Sequence, residues 1–352
     1  MKPFFIVSIC TVLLLICIYM LNLNLLQLKE LPLDDEQTGI DEQIIIHFSH
    51  VVAENTPKGV SATKFAELVK AKTNGQVVVQ VYPNGILFND DNEFEALKNN
   101  DVQMIAPTFS KISSIFPAWE VLDLPFLIEK EEQLQQVLNS ELKTVLFEDL
   151  QKHDIHGLQF WSNGFKQIAA NKPVLYADDF HDLQIRVMNS ERLRLQMEML
   201  GATPVITSFD DVFNIMENNE INSQENTISN LYSKGFHTFE KHITLSNHGI
   251  MGYAVLMNGQ FWRQLSPEHQ VAITEALTEM QQWQFNQSMQ INSESLAALQ
   301  AIDDVKIYVP TVEQLATWKE QISPIYESYR ENGHARYYSI LLKELNEQNR
   351  TK

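Results

Sequence analysis

The sequence has almost no cysteine. Its two, Cys10 and Cys17, both lie near the N-terminus, and everything after them is cysteine-free. That excludes a disulfide scaffold and any cysteine-ligated zinc or iron–sulfur site in the body of the chain. Basic residues are scarce as well: 26 Lys and Arg stand against 45 Asp and Glu, a net charge of −19. Such a surface repels phosphate backbones, so no nucleic-acid partner is expected. The twelve glycines contain no Gly-x-Gly pair, and neither a dinucleotide fingerprint nor a P-loop is present. H-E-x-x-H and G-x-S-x-G are missing too. Nothing marks a nucleophile, a metal or a cofactor site, so an enzyme is not expected, and a secreted hydrolase is the weakest rival reading. What remains is 352 residues, 44% hydrophobic and 20% charged. That is enough to bury a real core in two domains or one large one.

Charge is also missing from Pro3 to Leu28, after a single Lys2. The run Phe4–Leu21 is almost wholly apolar, and at about 1.5 Å per residue it reaches ~27 Å, close to a bilayer core. Signal cleavage needs small residues near the cut, yet none lies between Cys17 and Thr38. Residues 1–28 therefore read as a retained membrane anchor in preference to a cleaved signal. Lys2 on one side and Asp34-Asp35-Glu36 on the other place the body outside the cytoplasm, which in a bacterium is the periplasm. Residues 29–41 are acidic, without periodicity, and read as a linker.

The body alternates strands and helices. Ile44–Phe48 reads as a buried strand, Thr56-Pro57 as a helix start, and Gln76–Val81 as a second strand, which suggests a βαβ unit. Leucine and valine from Leu134 to Leu150 recur at helical spacing. His156–Trp161, Leu183–Val187, Thr203–Ile206 and Ile221–Gln224 are candidate strands. Ser266-Pro267 opens a stretch without Gly or Pro up to Pro310. A helix over 267–302 would be ~54 Å long and would run along two domains. Thr311-x-x-Gln314 is a capping box.

Two cations stand inside or beside strands. Arg186 alternates with Leu183, Ile185 and Val187 and precedes a helix start at Ser190, so a guanidinium meets helix N–H groups, a good carboxylate receptor. The plain alternative is an arginine paired with an acid. Lys166, in Asn163-Gly164-Phe165-Lys166, follows a strand and a turn, and alone reads as solvated. Asn226 reads as a helix N-cap. The adjacent pairs Asp90-Asp91 and Asp210-Asp211 read as helix N-terminal charge, and His47 and His50 as ordinary strand or loop histidines.

The stretches Asp182-Leu-Gln-Ile-Arg186-Val, Leu200-Gly-Ala-Thr-Pro204, Ser208-Phe209, Gln224-Glu-Asn226 and Phe261-Trp262 resemble the solute-binding proteins of TRAP transporters (tripartite ATP-independent periplasmic transporters). His50-Val-Val-Ala-Glu-Asn-Thr-Pro-Lys58-Gly59, Tyr82-Pro-Asn-Gly85, Asp123-Leu-Pro-Phe-Leu127 and Asn163-Gly-Phe-Lys166-Gln resemble their C4-dicarboxylate-binding branch. The resemblance runs from about Ile44 to Tyr329. It implies a two-lobed α/β solute-binding fold with crossing strands and a long helix spanning both lobes. The lobes would be residues 42–162 with 252–265, and 163–251; the helix would be 266–302, with 303–352 packing on the lobes. It further implies that Arg186 takes a ligand carboxylate, flanked by Asn226 and Asn189. Phe209 would pack on the ligand, Tyr253 would line the pocket from the crossing segment, and Thr108, Lys111 and His50 would serve the first lobe. Lys166 would meet the second carboxylate. Asn89 sits where relatives favour glycine, which suggests a left-handed turn. The implied partners are a succinate-, fumarate- or malate-like ligand and TRAP membrane subunits, with no ATP site. Alternatives are a membrane-tethered sensor handing its state to a sensor kinase, or a receptor for a monocarboxylate or 2-oxo acid.

Overall fold

The computed structural model describes residues 43–350; the expected anchor 1–28 and linker 29–41 lie outside them. No helix among the described residues is long and apolar enough to cross a membrane. Among the described residues nine strands form one mixed sheet in the order β2 (Val77–Tyr82), β1 (Ile44–Ser49), β3 (Met104–Ile105), β8 (His242–Asn258), β4 (Ile155–Ala170), β7 (Ser223–Asn226), β5 (Gln184–Val187), β6 (Thr203–Ile206), with β9 (Lys306–Tyr308) on β8. In the first lobe, β1 lies parallel to β2 and to the short β3. In the second, β5 lies parallel to β6 and to β7. The lobes share β4 and β8, antiparallel strands paired from Ile155–Asn258 to Ala170–His242. The last strand, β9, runs parallel to the start of β8.

Three local readings are revised. The expected strand at 156–161 continues to Ala170, because Asn163-Gly164 is not a turn between elements. Gly164 takes φ 88° inside the strand, a conformation open to glycine without a Cβ penalty, at a register shift between Ser162 and Gly164. The leucine run at 134–150 is two helices, Glu131–Val137 and Glu141–Gln151. Asn139 and Ser140 break it by donating to the Gln135 and Val137 carbonyls, side chains competing with the backbone as such residues do. The helix at 228–233 is capped by Thr227, not Asn226.

The Pro267–Gln300 helix has 34 residues. Ser266 accepts the His269 N–H at its start, and at about 1.5 Å per residue it spans ~51 Å. Its Ile273, Ala276, Leu277 and Met280 pack with Phe48, Phe65 and Trp161 in the first-lobe core. Its Leu299 packs with Val212, Leu231 and Ile243 in the second. Midway, Gln284 is buried and grips β4 twice: Ser162 N–H donates to Oε1 at 2.9 Å and Nε2 donates to the Ser162 carbonyl at 2.8 Å. Gln284→Leu leaves both backbone groups of Ser162 buried and unpaired. At about 1–3 kcal/mol for each such group, it should lower unfolding free energy by at least about 2 kcal/mol in urea denaturation; an unchanged midpoint would show that the grip adds nothing.

Candidate ligand-binding cleft

The first lobe offers a cation through a helix start. Thr56 caps the Pro57–Lys72 helix by accepting the Gly59 N–H at 3.3 Å. A Cβ at Gly59 would meet the Ala53 and Glu54 carbonyl oxygens at 2.4 and 2.5 Å, so only glycine lets this turn close on the loop before it. Lys58 is thereby fixed in the first turn and is 1% exposed. Its Nζ donates to the Ala106 carbonyl at 2.9 Å and stands 4.2 Å from the centre of the Tyr253 ring. Burial lowers its pKa to about 8, opposed by the charges of Glu93, Asp90 and Asp210. Glu93 is itself buried, its two oxygens accept no hydrogen bond, and burial pushes it up, against the pull of Lys58.

The second lobe offers Arg186, also 1% exposed. Its Nε and Nη2 both donate to the Thr207 carbonyl, at 3.2 and 2.9 Å. The guanidinium is thus aimed by a neutral backbone group instead of being consumed by a carboxylate. Burial lowers its pKa, and nearby acids, Asp90 first, offset this; an arginine stays charged regardless.

These two cations face one narrow cavity between the lobes. Val51, Val52, Lys58, Asp90 and Thr108 line it from the first lobe; Arg186, Met188, Phe209, Asn226 and Asn230 line it from the second; Met251 and Tyr253 line it from β8. The lobes meet at its rim, where the Asp90 N–H donates to Asp210 Oδ2 at 3.1 Å. Asp90-Asp91 directly precede the helix Glu93–Lys98 and Asp210-Asp211 stand at the start of Val212–Glu217, as the helix-charge reading has it, and Asp90 and Asp210 also join the two lobes.

Of the nine expected site residues, five line the cavity: Arg186, Asn226, Phe209, Tyr253 and Thr108. Thr108 Oγ1 accepts the Lys111 N–H at 3.1 Å, which leaves its hydroxyl hydrogen for a ligand. Asn226 Oδ1 accepts from the Thr227 N–H and from Asn230 Nδ2, and its Nδ2 donates to Gln224. Tyr253 Oη accepts from Asn163 Nδ2 at 2.9 Å, and burial raises its pKa. Phe209 stands edge-on to Phe236.

The other four lie elsewhere. Asn189 is exposed on the turn before the Ser190 cap. Lys111 pairs with Asp91 at 3.3 Å. His50 is fully buried with both ring nitrogens unpartnered, and burial, then the charge of Lys58, lowers its pKa to about 3, so it stays neutral. Lys166 is 1% exposed but does not line the cavity. It donates to Glu225 at 3.1 Å and lies 3.8 Å from Asp123. Asp123 in turn accepts from Ser110 and Ser113 of the first lobe and Ser190 of the second. Glu225 also contacts His248 at 3.1 Å. Burial pushes the Glu225 carboxyl up, but Lys166 and His248 overcome it and hold the pKa at about 2. Lys166, expected to meet the second carboxylate, is thus held by two acids away from the cavity, and Lys58 is the first-lobe cation that lines it. The signal for Lys58 was present in the sequence, since a lysine in a first helical turn opposes the helix dipole and needs another reason to be there.

This fold and pocket define a two-lobed periplasmic-type solute-binding protein, and comparison with known proteins identifies the family. Residues 48–332 match the family model "Bacterial extracellular solute-binding protein, family 7". A Bacillus subtilis C4-dicarboxylate-binding protein, DctB, is 42% identical over 302 residues, 86% of each chain. The C4-dicarboxylate-binding periplasmic protein DctP of Rhodobacter capsulatus is 37% identical, covering 83% of this chain and 88% of its own. A TRAP periplasmic solute-binding protein from Shewanella oneidensis with bound succinate aligns with TM-score 0.83 at 34% identity, over 86% of this chain and 99% of its own. One from Pseudomonas aeruginosa with bound L-malate aligns with TM-score 0.79 at 31% identity, over 81% and 100%. The chain belongs to the family 7 extracellular solute-binding proteins, the receptors of TRAP transporters.

Lys166→Met would leave Glu225 and Asp123 buried without their cation. Breaking a buried pair in this way costs about 3–5 kcal/mol, so the variant should show that loss in chemical denaturation. A loss below about 1 kcal/mol would mean that the network is not a structural support.

Proposed function

We propose that this protein captures a C4-dicarboxylate outside the cytoplasmic membrane and delivers it to an ion-gradient-driven TRAP membrane transporter. The observation that carries the reading is the pair of buried cations, Arg186 and Lys58, brought from opposite lobes to one narrow cavity. A four-carbon diacid has an anionic group for each. Arg186 presents a planar fork to one carboxylate, while Lys58 meets the other as a point charge. The Thr108 hydroxyl supplies a further donor, and Phe209, Met188 and Met251 cover the carbon chain. With a net charge of −19 the protein repels a dianion at long range, so attraction comes from the cavity itself. Closure excludes water and strengthens each charge-assisted bond. The relatives that bind C4-dicarboxylates, and the aligned structures holding succinate and L-malate, support the same ligand class.

Calorimetry with succinate and butyrate tests it. Arg186→Ala should weaken succinate binding by about 2–5 kcal/mol. Wild type should prefer succinate to butyrate by roughly 10–100-fold, because butyrate leaves Lys58 underpaired, and Lys58→Met should erase most of that preference. Equal binding of the two acids by wild type would contradict the dicarboxylate reading. The pH dependence has a definite sign. Binding needs Lys58 charged, and its pKa is lowered to about 8. Succinate affinity should already be about halved near pH 8 and fall further as pH rises, approaching about tenfold per unit. Lys58→Arg should flatten that fall.

The same reading keeps residues 3–28 as a tether that holds the receptor at the membrane. Fractionation and N-terminal sequencing check this: the exported protein should sediment with membranes and retain its first residues. A soluble product beginning after Leu21 would show cleavage and leave the binding role untouched.

A further inference from the structure

A cavity for a dianion is expected to be lined by donors and cations, yet one carboxylate lines this one. Asp90 is half-buried at the cavity wall. It is not there by accident of a loose loop. The Asn89 side chain accepts the Asp91 and Asn92 N–H groups, both at 3.1 Å, and Asn92 Oδ1 accepts the Asn89 N–H at 2.8 Å. Asn89 thus builds the turn through its side chain and is not among the residues of left-handed backbone. The Asp90 N–H then donates across the cleft to Asp210 Oδ2. The residue is held from both lobes, but the hydrogen bond uses its backbone; no described donor reaches its carboxylate oxygens. The cavity therefore presents two cations, Arg186 and Lys58, and one carboxylate that offsets their charges from a distance while its oxygens accept no hydrogen bond from a described donor.

We propose that Asp90 is a specificity-determining residue that selects C4-dicarboxylates carrying a hydrogen-bond donor on the carbon beside a carboxylate, a 2-hydroxyl or a 2-ammonium. The assignment rests on the dicarboxylate reading of the cavity. An unsubstituted diacid such as succinate places only CH₂ groups and anionic oxygens near Asp90. On closure it strips water from that carboxylate and returns nothing, while adding like-charge repulsion. A 2-hydroxyl donates to the carboxylate, and a charge-assisted bond in a closed site is among the stronger ones. A site built to receive a donor discriminates against the analogue lacking it, because its own polar group is then left unpaired.

The test is calorimetry at pH 7 with succinate, L-malate and L-aspartate on the purified full-length protein and on Asp90→Asn. Wild type should bind L-malate or L-aspartate at least about tenfold more tightly than succinate. Asp90→Asn should narrow that gap, chiefly by tightening succinate, because the unpaired charge is gone. Comparing malate with aspartate then tells whether the donor is a hydroxyl or an ammonium. Succinate bound by wild type as tightly as both substituted acids overturns the assignment of Asp90 and leaves the dicarboxylate reading standing. So does a preference that survives unchanged in Asp90→Asn. If wild type binds none of the three acids, the dicarboxylate reading falls and this assignment falls with it.

Discussion

Burying a cation with no carboxylate in ion-pair contact is costly, and this structure does it on both sides of one cavity, with acids such as Asp90 offsetting the cost from further away. Arg186 leans on the Thr207 carbonyl, and Lys58 on the Ala106 carbonyl and the face of Tyr253. Neutral groups of this kind orient a charge without cancelling it. Under the proposed function, a ligand carrying two carboxylates would meet these cations at both ends and, with one cation on each lobe, would stabilise closure.

The scaffold serves that geometry by sharing elements between the lobes. Strands β4 and β8 run through both, and the long helix places apolar residues in both cores. Gln284 ties that helix to the middle of β4. At the same level Asn163 joins Tyr253 of the cavity to Thr227 of the second lobe. Two other buried cations of this region are paired. Lys166 with Glu225 and Asp123, and Arg192 with Glu120 at 2.6 Å, give each cation its acid. The contrast is one of partners: Lys166 and Arg192 are paired with acids, while Arg186 and Lys58 rest on carbonyls at the cavity.

Much of this was legible in the sequence where the signal is local. The long helix announced itself by a cap at Ser266 and by the absence of Gly and Pro behind it. Arg186 stood out because a strand of apolar neighbours gives an arginine few solvated options. Lys166 read alone as solvated and gained a ligand role only through the family resemblance; the acids that engage it lie 43 residues before it and 59 after. Only folding reveals that it is paired. Lys58 was hidden by its neighbours, since Thr56-Pro57 explains a helix start so completely that the residue after it draws no attention. Strand β8 escaped a reading by pattern because Ser246-Asn247-His248 and two glycines interrupt its alternation, although the family resemblance placed Tyr253 in a crossing segment. Asn89 was read through its backbone tolerance, whereas the structure uses its side chain.

The central claim is that Arg186 and Lys58, and not Lys166, grip the two ends of one diacid. A crystal structure of the protein grown with a C4-dicarboxylate tests this most directly. The account predicts density for the ligand in the cavity bounded by Val52, Met188 and Tyr253, one carboxylate in a forked contact with the Arg186 guanidinium and the other within hydrogen-bond distance of Lys58 Nζ, with Lys166 still held by Glu225. A ligand whose second carboxylate contacts Lys166, or one bound with Lys58 turned away from it, would contradict it.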